Sequence, residues 1–66
     1  MVKKKLSKRE LEVINLVSLG LGNKQIGSKL GIREHTVKNH LTYIYQKLEA
    51  SNRAQAIAIT IRSGLI

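Results

Sequence analysis

Residues 23–42, NKQIGSKLGIREHTVKNHLT, hold two helical patterns with one glycine between them, and that pairing fixes most of what the chain can become. Ile26 and Leu30 recur at helical spacing in the first pattern, and Gly31 follows at once. Glycine reaches the left-handed conformation that ends a helix without a Cβ clash. A second pattern begins near Arg33 or Glu34 and carries Val37, Leu41, Ile44 and Leu48, at offsets of four, seven and eleven. Such offsets gather four aliphatic side chains into one narrow stripe of a helix. Ile26, Leu30, Ile32, Val37 and Leu41 are therefore expected to point inward, and Gly27 to admit a close helix contact.

The other side of the second helix is chemically different. At about 100° per residue, His35, Asn39, Thr42 and Gln46 fall together, opposite the aliphatic stripe. Lys38 flanks them on one edge, with Thr36, Tyr43 and Lys47 on the other. The face is nearly free of aliphatic groups, and its one acid is Glu34 at the very start. Amphipathic helices generally expose a polar face to water, so this face alone decides nothing. A short helix and a glycine turn directly before it shift the reading to a helix-turn-helix whose second helix meets base edges and phosphates.

Charge narrows the partner. Twelve Lys and Arg against four Glu leave +8 on 66 residues, an excess that calls for a polyanion. Nucleic acid comes first, an acidic protein or membrane surface second. Tyr43 and Tyr45 are the only aromatics, too few to stack unpaired bases, so duplex DNA fits better than single strands. Cysteine is absent, which excludes disulfides and thiolate metal sites and agrees with a cytoplasmic setting, associated with the nucleoid. No membrane-length apolar run and no signal-peptide pattern is present. His35 and His40 diverge by about 140° on a helix and make no metal pair. No paired carboxylates or nucleophile–base set suggest an enzyme, and no cofactor is implied.

The remaining segments complete an all-α, four-helix bundle of one small domain. Residues 1–5 form a short basic tail. Ser7 and Glu10 are spaced as a capping box, with Leu6 and Leu11 as a hydrophobic staple, and the first helix reaches about Leu19 before Gly20. Val13, Ile14 and Val17 share its inner face, beside Leu16. Asn23 is expected to cap the short helix over residues 24–30, whose first turn, with Lys24 and Gln25, favours a phosphate. Ser51 or Asn52 caps a last helix that runs to about Ser63. There Ala54, Ile57, Ala58 and Ile61 are expected inside. Ala56, Ile59 and Ser63, with Thr60 and Gln55 beside them, are expected to form a small, neutral outer strip suited to a two-fold helix contact.

From Leu6 to Ile66 the chain resembles the LuxR/GerE-type DNA-binding domain, also found as the output domain of NarL-type response regulators. The resemblance is carried by L-S-K-R-E-L-E-V-I, G-L-G-N-K-Q-I-G-S-K-L, T-V-K-N-H, I-Y-Q-K-L and S-N-R-A-Q-A-I in this order. It implies a four-helix domain that binds double-stranded DNA, commonly as a homodimer joined through the last helix, in a regulator that also works with RNA polymerase. By motif position it places base contacts on Lys38, Asn39 and Thr42, and backbone contacts on Asn23, Lys24 and Thr36. His35, Tyr43 and Lys47 are further backbone candidates from their place near the polar face. Arg33 stands where the family has a capping Ser and can reach a phosphate instead. Gly27 replaces a usual Ala, at a helix-propensity cost of up to ~1 kcal/mol, and Glu49-Ala50 replaces a usual Gly-Val. His40 is expected at the edge of the core, and Arg53 to tie the last helix to the end of the third. A basic protein-interaction module that docks on an acidic partner is the competing reading. It uses the same charge but leaves the glycine-turned motif unexplained.

Overall fold

The computed structural model describes residues 5–65. Four helices follow in order: α1 Lys8–Ser18, α2 Asn23–Leu30, α3 Glu34–Leu48 and α4 Arg53–Arg62. Residues 1–4 of the basic tail, and Ile66, lie outside the described residues.

Each helix start shows how its local sequence stops the chain from fraying. At α1 the Ser7 hydroxyl accepts from the Glu10 amide at 3.1 Å, while the Ser7 amide donates to Glu10 Oε1 at 2.7 Å. The capping box is complete, and Leu6 of the staple is buried. At α4 the Asn52 side chain accepts from the Gln55 amide at 2.9 Å, and Gln55 Oε1 accepts from the Ser51 amide. Helix α2 departs from expectation: Gly22, not Asn23, is the N-cap. Gln25 takes over the capping role by accepting from the Gly22 amide at 2.8 Å. Asn23 stands one residue too far into the helix for its side chain to turn back onto the free amides.

Val13, Ile14, Ile26, Val37 and Ile44 are fully enclosed, and Leu6, Val17, Leu41, Leu48 and Ala56 close the core around them. Burial of an Ile or Leu side chain is worth about 1.5–3 kcal/mol, so the inner faces of α1 and α3 supply most of the apolar driving force. Gly31 sits at φ 71°, and Ile32 donates back to the Gly27 carbonyl at 2.9 Å, which turns the chain sharply into α3. Close packing at this corner depends on Gly27. A Cβ there would lie 2.6 Å from the Ile32 carbonyl oxygen and 3.3 Å from backbone atoms of Arg33 and Glu34. The corner is thus tight because one side chain is missing.

The inner face of α4 is the main correction. Ala56 and Thr60 are fully buried, whereas Ala54, Ala58 and Ile61 are exposed and Ile57 and Ile59 half-buried. The helix is rolled by roughly 130° from the orientation its apolar residues suggest. Thr60 tolerates burial because its hydroxyl donates to the Ala56 carbonyl at 2.6 Å and leaves no free proton. Two small residues at the contact let α4 approach closely. Arg53 sets the roll by donating to the Leu21 carbonyl at 3.0 Å, so it ties α4 to the loop after α1 and not to the end of α3.

Candidate nucleic-acid interface

Helix α3 buries Val37, Leu41, Ile44 and Leu48 against the core. Its opposite side is bare. His35, Lys38, Asn39, Thr42, Tyr43 and Gln46 are all exposed, and Thr36 is half-buried at the edge. The buried stripe holds the helix in place while the other side faces outward as one continuous polar surface. His40 is half-buried between the two, where a core-edge residue belongs.

Two contacts prearrange this surface. Thr42 Oγ1 donates to the Lys38 carbonyl at 3.1 Å, one turn back along the helix. Its proton is then committed, and what it presents outward is a methyl group and a pair of acceptor sites. Asn39 Nδ2 lies 3.5 Å from His35 Nε2, at the outer limit of a hydrogen bond. Lys38 adds a full positive charge on the same surface.

The start of α3 carries no side-chain cap: Arg33 occupies the N-cap position, exposed, without bonding the free amides. Those amides and the guanidinium both favour an anion, while Glu34 in the first turn works against one. Lys24 is exposed at the start of α2. Asn23 beside it is half-buried, and its Oδ1 is shielded from solvent without a hydrogen-bond partner. Its amide nitrogen is the group left to meet an anion.

Lys47 does not share the polar face. Its ammonium contacts Glu10 Oε1 at 2.7 Å and joins the end of α3 to the start of α1. On a helical wheel it lies closer to the Val37 stripe than to Asn39, which is why a buried acid of α1 can reach it. Burial pushes the Glu10 carboxyl up, but the Lys47 hydrogen bond, the Ser7 amide and the Lys47 charge outweigh it and hold the pKa below the ordinary 4.5. Ala56 and Thr60, expected on an outer strip of α4, are enclosed in the core and cannot meet a partner. Ile59 is half-buried on one flank, and Ser63 is exposed just past the helix end. Sequence reasoning missed the Glu10–Lys47 pair, because 37 residues separate the partners. It also missed Ile61, exposed at 58%.

A short capped helix, a left-handed glycine corner and a longer helix with a bare polar face constitute a helix-turn-helix DNA-binding domain. Residues 4–60 match the family model of bacterial regulatory proteins, luxR family, and the chain belongs to that family. It is 45% identical over 60 residues to the uncharacterized transcriptional regulatory protein YxjL of Bacillus subtilis, covering 91% of this chain and 28% of that protein. Among solved structures it is similar to the response regulator ChrA of a heme-sensing two-component system, at TM-score 0.91 and 42% identity. That match covers the whole of this chain and 33% of ChrA. The transcription factor GerE matches at TM-score 0.86 and 40% identity, over 91% of this chain and 90% of GerE. The chain thus spans about a third or less of the regulators YxjL and ChrA but nearly the whole of GerE. The family and these relatives are transcription regulators, not enzymes. Among the described residues, no helix is long and apolar enough to cross a membrane.

Proposed function

We propose that this domain binds duplex DNA sequence-specifically in a bacterial, cytoplasmic transcription regulator, with α3 in the major groove. The observation that carries this reading is the uninterrupted exposed face from His35 to Gln46, set opposite a fully buried stripe on the same helix. Lys38, Asn39 and Thr42 lie at its centre and are assigned to bases. Asn39 has both a donor and an acceptor for an adenine edge, and Thr42 has a methyl group for thymine. Asn23, Lys24, Arg33, His35, Thr36 and Tyr43 surround them and are assigned to phosphates. The charge of +8 supports the same partner.

A two-fold dimer through α4 is part of the proposal, on residues different from those the sequence suggested. The exposed strip is Ala54, Ala58 and Ile61, small and neutral along its length, with Arg62 at its rim. A symmetric helix pair on this strip would set two α3 helices toward half-sites related by two-fold symmetry. Selection of bound sites from a random duplex library tests both parts together. Enrichment of one motif, repeated as an inverted pair, is expected; recovery of random sequence at equal affinity would contradict base reading.

A further inference from the structure

Asn39 has a neighbour that can decide which way round its amide faces. One turn earlier on α3, the imidazole Nε2 of His35 lies 3.5 Å from Asn39 Nδ2, and both residues are exposed. An amide nitrogen only donates, so Nε2 is the acceptor and the neutral ring carries its proton on Nδ1. A carboxamide has a donor end and an acceptor end, exchanged by a half-turn about its last bond. Water solvates either sense, so an isolated Asn has little preference between them. An acceptor four residues earlier breaks that symmetry: it draws the nitrogen toward the start of α3 and leaves Oδ1 facing away from the ring. Thr42, the residue on the other flank, cannot supply a competing donor, because its proton goes to the Lys38 carbonyl.

The sense of the amide has consequences at a base edge. Adenine presents N7, an acceptor, and N6, a donor, in a fixed order, and an Asn approaching from one direction matches that order in one sense only. We infer that His35 is a positioning residue for Asn39, which fixes the amide sense before DNA arrives and so sets the base that α3 accepts there. The inference rests on the reading of α3 as the base-contacting helix. It assigns His35 a part in specificity, beyond the phosphate contact that its place on the face suggests.

Three substitutions separate acceptor from donor at this position. His35→Gln keeps an acceptor at the same spacing, His35→Lys offers only donors, and His35→Ala offers neither. The parent chain first selects duplex sites from a random library, and the base pair whose identity is lost with Asn39→Ala marks the pair that Asn39 reads. Discrimination at that pair is then the ratio of affinities for the preferred and alternative bases, so a general gain or loss of charge cancels. Circular dichroism and thermal melting verify that each variant is folded. His35→Ala is expected to lose about two- to fivefold in discrimination, His35→Gln to restore it, and His35→Lys to change the preferred base. Parental preference kept in both His35→Ala and His35→Lys overturns the inference and leaves Asn39 a base reader. If Asn39→Ala alters no preference at any pair, the base-reading assignment falls, and this inference falls with it.

Discussion

Glu10 shows how much one side chain can do in so small a domain. It closes the α1 capping box through the Ser7 amide and holds the Lys47 ammonium from the far end of α3. Because its pKa is lower folded than unfolded, its contribution is fully present above about pH 4.5 and is lost as pH falls through the depressed folded value. Glu10→Gln keeps a neutral acceptor for Ser7 but removes the charge. It should cost about 1–2 kcal/mol at pH 7, and urea titrations of parent and variant should converge near pH 3. A constant difference across that range would show that Lys47 does not sense the carboxylate. Glu49 poses the opposite case. It ends α3 at φ 57°, in the left-handed region, where Ala50 donates back to the Tyr45 carbonyl at 2.9 Å. That geometry suits glycine, the family's usual residue there, and Glu49→Gly should stabilise the domain by about 0.5–1 kcal/mol in denaturant melts. An unchanged or lowered midpoint would mean that the interactions of the Glu49 side chain outweigh its backbone strain.

At the scale of elements, the corner between α2 and α3 is where propensity and packing disagree. Gly27→Ala gains up to about 1 kcal/mol of helix propensity, yet its methyl would press on the Ile32 carbonyl, a backbone atom that cannot swing aside. Packing should win, with a net loss of about 1–3 kcal/mol and a weakened response to DNA as α3 shifts. A more stable Gly27→Ala would show that the corner relaxes easily. The same contrast explains what could be read from the chain beforehand. Helix α3 was legible because its aliphatic residues occupy one stripe and polar ones the other, so Val37 and Asn39 could be placed without coordinates. Helix α4 was not, since Ala54, Ala56, Ile57, Ala58, Ile59 and Ile61 surround it almost evenly. Its roll is decided by Arg53 on the Leu21 carbonyl and by the self-satisfied hydroxyl of Thr60, neither of which leaves a periodic trace. Asn23 was misplaced for a related reason: Gly22 and Asn23 both suit a cap, and the Gln25 side chain settles the choice.

The whole molecule, 30 × 20 × 19 Å, combines a compact core with an outer surface rich in Lys and Arg. Its two proposed working surfaces lie on different helices, the polar face of α3 and the strip of Ala54, Ala58 and Ile61 on α4. Charge placed on the strip should therefore separate assembly from DNA contact. Ile61→Glu is expected to remain folded and bind one half-site, but to lose the gain in affinity that a paired site gives, as read by analytical ultracentrifugation and titration with single and paired sites. Equal binding to both by the parent would remove α4 from the account. The central claim concerns α3 and is tested most directly by measuring Asn39→Ala and Thr42→Ala on a selected duplex and on random duplex across 50–200 mM salt. A fall of about 1–3 kcal/mol on the selected duplex alone is predicted, with the random-duplex salt slope kept near −0.9 per phosphate contacted. Equal losses on both duplexes, or affinity for duplex that ignores salt, would contradict a base-reading α3.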